Sequence, residues 1–252
     1  MVPKRRKEWF DDESFWRELY PFMFSESRFR QAEGEVDRAL ALARPRGRSA
    51  LDLCCGPGRC SIVLARRGFA VTGVDRTSFL LDKARARARR SGVRVEWVRA
   101  DMRDFVRPRA FDVALSMFTS FGYFADKEED VGVLRNVLAS LKPGGAFVID
   151  VAGKEFVARF FQSTTSEALP DGTTLVQRHE ILDDWTRVGN EWTLVRRGRA
   201  RTFRFHHTIY SGQELRDRLA RAGFAATRLY GSLDAEPYGP ESRRLVAVAR
   251  RA

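Results

Sequence analysis

Residues 51–60, LDLCCGPGRC, run from a short apolar stretch around one acid, Asp52, into a Gly-Pro-Gly turn. Ahead of the turn SALDLC reads as a strand, and behind it RCSIVLARRG reads as a helix. Such a turn exposes its backbone. Gly56 and Gly58 accept torsions that other residues resist, and the first turn of the helix offers free N–H groups with a partial positive charge. In open α/β sheets a ligand sits beyond the carboxyl ends of the strands, where the strand order reverses.

Outward from this turn the alternation continues. FAVTGVD and VRVEWVRA read as strands around the helix SFLLDKARARARRSG. FDVALSM, the helix KEEDVGVLRNVLASL and the strand GAFVIDV follow. This rhythm predicts an α/β fold, a doubly wound parallel sheet with helices on both faces. After residue 165 three strand-like runs, TTLVQRHEILDDW, NEWTLVRRG and ARTFRFHHTIY, are joined by short polar turns such as RVGN. They predict an antiparallel β insert over about 165–210. One more helix, GQELRDRLARAG, and two strands near AATRLYG and RRLVAVAR complete the chain. Before the sheet, DDESFWRELYPFMF carries Phe15, Trp16, Leu19 and Tyr20 at helical spacing and reads as a helix stopped near Pro21. ESRFRQAEGEVDRALALA reads as a second helix, so that 1–44 form an N-terminal helical segment and 45–252 the sheet domain.

The composition narrows the setting. At 252 residues and 44% hydrophobic content the chain is long enough for one large globular domain. No apolar run approaches the ~20 residues of a membrane span, and the basic opening MVPKRRKEWFDDE leads into acids rather than an apolar signal region, so a cytoplasmic protein is expected. The three cysteines, Cys54, Cys55 and Cys60, crowd into one turn, which is neither a disulfide framework nor zinc spacing, and no metal is expected. The net charge of +12 comes mostly from arginine. Spread over helix surfaces without interleaved aromatics, it does not make nucleic acid the expected partner. A monomer or a homodimer is expected.

Two further acids sharpen the ligand. Asp75 ends the second strand about 20 residues after the glycines, where a carboxylate accepts from ribose hydroxyls. Asp101 and Met102, in RADMRDF past the third strand, pair an acid for an adenine amino group with an apolar cover for its ring. A dinucleotide fingerprint wants Gly or Ala three residues after its second glycine, and Ser61 stands there. With these stretches the chain resembles the class I S-adenosylmethionine-dependent methyltransferases. LDLCCGPGR is similar to the family's first motif, GVD to the second, ADMRDF to the adenine motif, and LKPGGAFVIDV to the turn and fifth strand. The resemblance covers about 45–152 and departs from the pattern at Cys54, where the first glycine normally stands. It implies a seven-stranded sheet with a reversed hairpin at its end. It also implies binding of S-adenosylmethionine, with S-adenosylhomocysteine as product, by Asp52, Cys54, Gly56, Gly58, Asp75, Arg76, Asp101, Met102, Ser116 and Met117.

The acceptor side is less defined. LSMFTSFGYF, residues 115–124, lacks the polar-Pro-Pro-aromatic motif of nucleic-acid amino-methyltransferases. It resembles instead the MFSSxGY type of small-molecule N-methyltransferases, and the N-terminal helices and the insert fit a lid over the acceptor in that subgroup. A lid is expected to be dispensable for folding, so that deleting residues 1–24 leaves the fold intact. An attacking amine must be neutral, and a base or phenol oxygen can hold or deprotonate it. Tyr20, Tyr123, His206 and His207 are the catalytic candidates, with His179 behind them. Neighbours on a strand, His206 and His207 must point to opposite faces. The expected function is methyl transfer to a small-molecule acceptor at an amine nitrogen. The alternatives are an RNA or protein methyltransferase using the basic surface, and a non-catalytic S-adenosylmethionine- or nucleotide-binding module.

Overall fold

The computed structural model describes residues 8–252, and the basic opening, residues 1–7, lies outside them. In chain order the elements are α1 (Glu13–Met23), α2 (Glu26–Ala43), β1 (Ser49–Leu53), α3 (Arg59–Arg66), β2 (Ala70–Asp75), α4 (Ser78–Arg90), β3 (Glu96–Arg99), β4 (Phe111–Ser116), α5 (Lys127–Ser140) and β5 (Leu141–Val151). There follow α6 (Lys154–Phe160), β6 (Thr164–Ala168), β7 (Thr174–Leu182), β8 (Arg187–Arg196), β9 (Arg199–Thr208), α7 (Gly212–Ala222), β10 (Ala226–Tyr230) and β11 (Leu245–Arg250). Two compact units result: Glu26–Phe161 with Thr208–Ala252, and residues 8–25 with Gln162–His207. The units part between α1 and α2 rather than at residue 44. None of the described helices is long and apolar enough to cross a membrane.

The larger unit holds a seven-stranded sheet in the order β10-β11-β5-β4-β1-β2-β3. Its β2–β3, β1–β2, β1–β4 and β4–β5 pairs are parallel, and β11 runs antiparallel to both β5 and β10. This is the sheet with a reversed end hairpin that the resemblance implies. The small-residue stripe of α2, Ala32, Val36, Ala39 and Ala43, packs with Val63 and Leu64 of α3 against Val113, Leu115, Val148 and Val246. Burying that stripe, rather than local propensity, is what holds α2 to this sheet. Strand order reverses between β1 and β4, which opens a crevice at their carboxyl ends.

The smaller unit is a four-stranded sheet, β6-β7-β8-β9, with antiparallel β6–β7 and β7–β8 pairs. Phe15 and Leu19 of α1 form one core with Leu175, Leu194 and Phe203, ringed by Trp9, Trp16, Phe22, Trp192 and Phe205. Three details differ from the sequence reading. Helix α6 and strand β6 join the expected elements ahead of the three strand-like runs. The turn between β7 and β8 is made by Asp183, Asp184 and Trp185, all left-handed, while RVGN lies inside β8. Trp185 is therefore exposed at the turn, and only Trp192 packs. Finally, α1 runs through Pro21 to Met23. A proline near the last turn removes a single helical hydrogen bond, and the Phe24 N–H still closes on the Tyr20 carbonyl at 2.9 Å.

Candidate active site

At the end of β1 the chain turns through three left-handed residues, Cys54 (φ 58°), Gly56 (φ 55°) and Gly58 (φ 83°). Gly58 is demanded twice, because a Cβ there would also lie 2.8 Å from the Trp97 ring. The family places its first glycine where Cys54 stands, and the torsion explains why: a left-handed non-glycine residue costs about 1–2 kcal/mol. In return, the Cys54 Sγ lies 3.6 Å from the Met102 Sδ, bringing the first motif and the adenine motif into contact. Burial pushes the Cys54, Cys55 and Cys60 thiols up, which keeps them protonated. Replacing Cys54 by Gly is expected to raise stability by about 1 kcal/mol, read as a higher denaturation midpoint. A lower midpoint would show that the sulfur contact outweighs the torsional strain.

The buried Asp75 carboxylate organises the turn. Its Oδ2 accepts from the Gly56 N–H and its Oδ1 from the Thr77 N–H, both at 2.9 Å. Burial raises its pKa, and these backbone donors hold it back. Asp52, also buried, accepts from the Ser61 hydroxyl at 2.5 Å, and burial pushes it up to about 6. Asp101 is engaged by arginine: Arg103 donates from Nε and Nη2 at 3.0 and 2.8 Å, and the Arg76 Nη1 lies 3.3 Å away. Burial acts to raise the Asp101 pKa, but Arg103 outweighs it and the carboxyl stays charged. The sequence reading omitted Arg103, which stands two residues beyond Asp101. It also pairs with Glu129 and stacks over Phe124.

Two residues at the end of β4 separate by environment. The Met117 side chain belongs to the core of the larger unit. Ser116 is buried, and its hydroxyl has no hydrogen-bond partner among the described residues. A buried hydroxyl without a partner costs about 1–3 kcal/mol, which a polar ligand group would recover. The orphaned Ser116 hydroxyl, the Asp75 carboxylate and the left-handed turn at Gly56 and Gly58 fit S-adenosylmethionine, a ligand with ribose hydroxyls, a purine and an amino-acid tail.

Beyond β4 the chain continues in two left-handed residues, Phe118 (φ 61°) and Thr119 (φ 59°). The end of β5 pins them. The Phe118 N–H donates to the Asp150 Oδ2 at 3.2 Å, and the Thr119 N–H to the Asp150 carbonyl at 2.9 Å. Arg244 grips the fully buried Asp150 through both carboxylate oxygens. Gly122 is left-handed at φ 95°, and a Cβ there would meet the Thr208 carbonyl at 2.7 Å. Strain of this kind is held by surrounding structure and clusters at functional sites. Tyr123 follows. Burial, with Cys54 adding to it, pushes its phenol up, so it stays protonated at neutral pH.

The other candidates lie in the smaller unit. Tyr20, half-buried on α1, stacks at 5.4 Å from Phe24. His206 and His207 sit on β9 and point to opposite faces. The Asn190 amide lies 3.3 Å from the His207 Nδ1 and 3.0 Å from the His179 Nδ1, linking the two rings across three strands. Burial lowers the His207 pKa to about 4, with His179 and His206 contributing. His207 is therefore neutral at physiological pH and weak as a base. The unfolded chain takes up a proton between pH 6.5 and about 4 that the folded chain refuses. Stability present above pH 6.5 should thus be lost as pH falls through that window, on the order of 3 kcal/mol. Denaturant unfolding at pH 7 and pH 4.5 checks this, since a His207→Gln protein should lose less on acidification than the parent.

One acid escaped the sequence reading. Glu35 lies on the buried stripe of α2, between Ala32 and Ala39, and its Oε2 is buried with no hydrogen-bond partner among the described residues. Arg59, at the first residue of α3, lies 3.3 Å over the Phe118 ring. The detectable signal is a charge at an apolar helical phase.

The methyltransferase-domain family matches residues 50–145. The cypemycin N-terminal methyltransferase of a Streptomyces species is 31% identical over 210 residues, covering 81% of this chain and 84% of that one. Among solved structures, an S-adenosylmethionine-dependent methyltransferase from Clostridium acetobutylicum superposes with a TM-score of 0.77 at 16% identity, over 95% of this chain and 98% of that one. The sugar N-methyltransferase KedS8 from a Streptoalloteichus species gives 0.69 at 22% identity, over 100% and 96%.

Proposed function

The chain belongs to the S-adenosylmethionine-dependent methyltransferases, and from that premise we propose that it methylates the nitrogen of a small-molecule amine. The donor supplies a methyl group on a sulfonium, already activated for displacement. What remains for the protein is to align the nucleophile and exclude water. Asp75 is assigned to the ribose hydroxyls, the Gly56–Gly58 turn and Ser116 to the amino-acid tail, and Met102 to the purine face.

The similarity to a peptide N-terminal methyltransferase and a sugar N-methyltransferase carries the nitrogen reading, and Tyr123 agrees with it. Burial keeps its phenol protonated, so it can accept or donate a hydrogen bond but offers no phenolate base. An alcohol needs strong assistance to become a nucleophile, whereas an amine needs only the loss of a readily removed proton. Described arginines such as Arg66, Arg67 and Arg107 are tied to Glu33, Asp37 and Glu96, so these cations are already paired rather than waiting for phosphates. Incubation with labelled donor and a panel of amines, phenols, carboxylic acids and RNA tests the proposal. Label should enter amines. Label confined to phenols, acids or RNA would overturn it.

A further inference from the structure

Glu35 on α2 carries a buried Oε2 with no hydrogen-bond partner among the described residues. Its electrostatic neighbours are Arg59 on α3, Arg244 before β11, Asp150 at the end of β5 and Arg38 on its own helix. Arg244 is neutralised by its two-oxygen grip on Asp150. Arg59 has no carboxylate within 4.0 Å among the described residues and rests on the Phe118 ring instead. With Arg38 paired to Asp234 at 3.4 Å, the cluster keeps two ion pairs, one cation stacked on an aromatic face, and one carboxylate whose Oε2 is buried without a hydrogen-bond partner among the described residues. Phe118 and Asp150 place it beyond the carboxyl ends of β4 and β5. The adenosine acids, Asp75 and Asp101, lie on the other side of β1, after β2 and β3.

We propose that Glu35 is the acceptor-side carboxylate, which binds the ammonium form of the substrate and takes its proton. The proposal rests on the nitrogen reading above. An N–H···O bond to a charged acceptor anchors the incoming cation. The N–H bond then breaks with its electron pair left on nitrogen, and the proton is held on the Glu35 carboxyl until solvent removes it. Burial raises the Glu35 pKa while Arg59 and Arg244 pull it down, so the group is a better proton acceptor than an exposed glutamate.

Sinefungin, the donor analogue carrying an amine in place of the methylated sulfur centre, and S-adenosylhomocysteine, which has neither, provide the test. In the parent protein at pH 7.5 sinefungin should bind more tightly than S-adenosylhomocysteine, and Glu35→Gln should cut that preference by about tenfold while leaving S-adenosylhomocysteine within about threefold. If both ligands weaken equally, Glu35 serves the donor's own amino group and the proposal is overturned. An unchanged preference overturns it too. Should Glu35→Gln fail to fold, the parent protein still decides, because its sinefungin preference should shrink as the pH is lowered and Glu35 is protonated. A preference that stays flat to pH 4.5 refutes the assignment. With an amine that the parent protein methylates, Glu35→Gln should also need a higher pH for the same kcat/KM, since the substrate must then arrive neutral. The amine panel on the parent protein judges the nitrogen reading separately: amines left unlabelled sink that reading, whereas amines labelled alongside an unchanged sinefungin preference sink only the role of Glu35.

Discussion

Asp75→Ala should weaken S-adenosylmethionine binding by about a hundredfold or more, measured by calorimetry on a protein whose circular dichroism is unchanged. Loss of a charged acceptor for two ribose hydroxyls is alone worth about 1.5–3 kcal/mol. The structure adds a second cost. The same carboxylate holds the Gly56 and Thr77 N–H groups, and removing it leaves both buried donors unpaired, at about 1–3 kcal/mol each. Part of that loss falls on the shape of the turn, so S-adenosylhomocysteine should weaken alongside the donor. Asp75→Asn, which keeps one acceptor oxygen, should retain an intermediate affinity. An unchanged dissociation constant in a folded Asp75→Ala protein would take Asp75 out of the site.

Removing residues 1–24, or combining Phe15→Ala with Leu19→Ala, should unfold the smaller unit. Phe15 is 2% exposed and Leu19 is fully buried, and both belong to the core of the four-stranded sheet. The Phe15 ring lies within 5.5 Å of Trp9, Trp16, Phe203 and Phe205. Truncation of a buried Phe costs about 3–5 kcal/mol and of a buried Leu about 2–5, more than a small sheet with one covered face can lose. Limited proteolysis should then cut within 162–207 while Glu26–Phe161 survives. This replaces the expectation of a lid that detaches without harm to the fold: α1 is a core element of the unit it belongs to. A truncated protein as protease-resistant as the parent would restore the detachable lid.

The readable parts of the sequence were those whose cause is local. The glycines and acids at or just past the ends of β1, β2 and β3 have roles set by their own neighbours, so the parallel sheet and the candidate acids Asp75 and Asp101 followed from rhythm and spacing, while the reversed end hairpin followed from the family resemblance. Helix α6 and strand β6 carry no strong period and were missed. The β7–β8 turn was misplaced because RVGN has turn composition, whereas three successive left-handed residues at Asp183–Trp185 make the actual reversal. Glu35 gave a faint signal, and its setting depends on Arg59, Asp150 and Arg244, which only the fold assembles. The strain at Cys54 was likewise invisible, since nothing in its side chain reports a φ of 58°.

The joining of α1 to strands that follow it by about 160 residues has a consequence for synthesis. Translation proceeds at about 5–20 residues per second. A helix bearing Phe15, Trp16, Leu19 and Phe22, with Trp9 just ahead of it, therefore leaves the ribosome roughly 10–30 seconds before the sheet that buries it exists. During that interval the larger unit gains its central strands while an aromatic face waits in water. Nascent chains stalled before residue 174 should bind chaperones through their first 25 residues, and chains released after residue 208 should not.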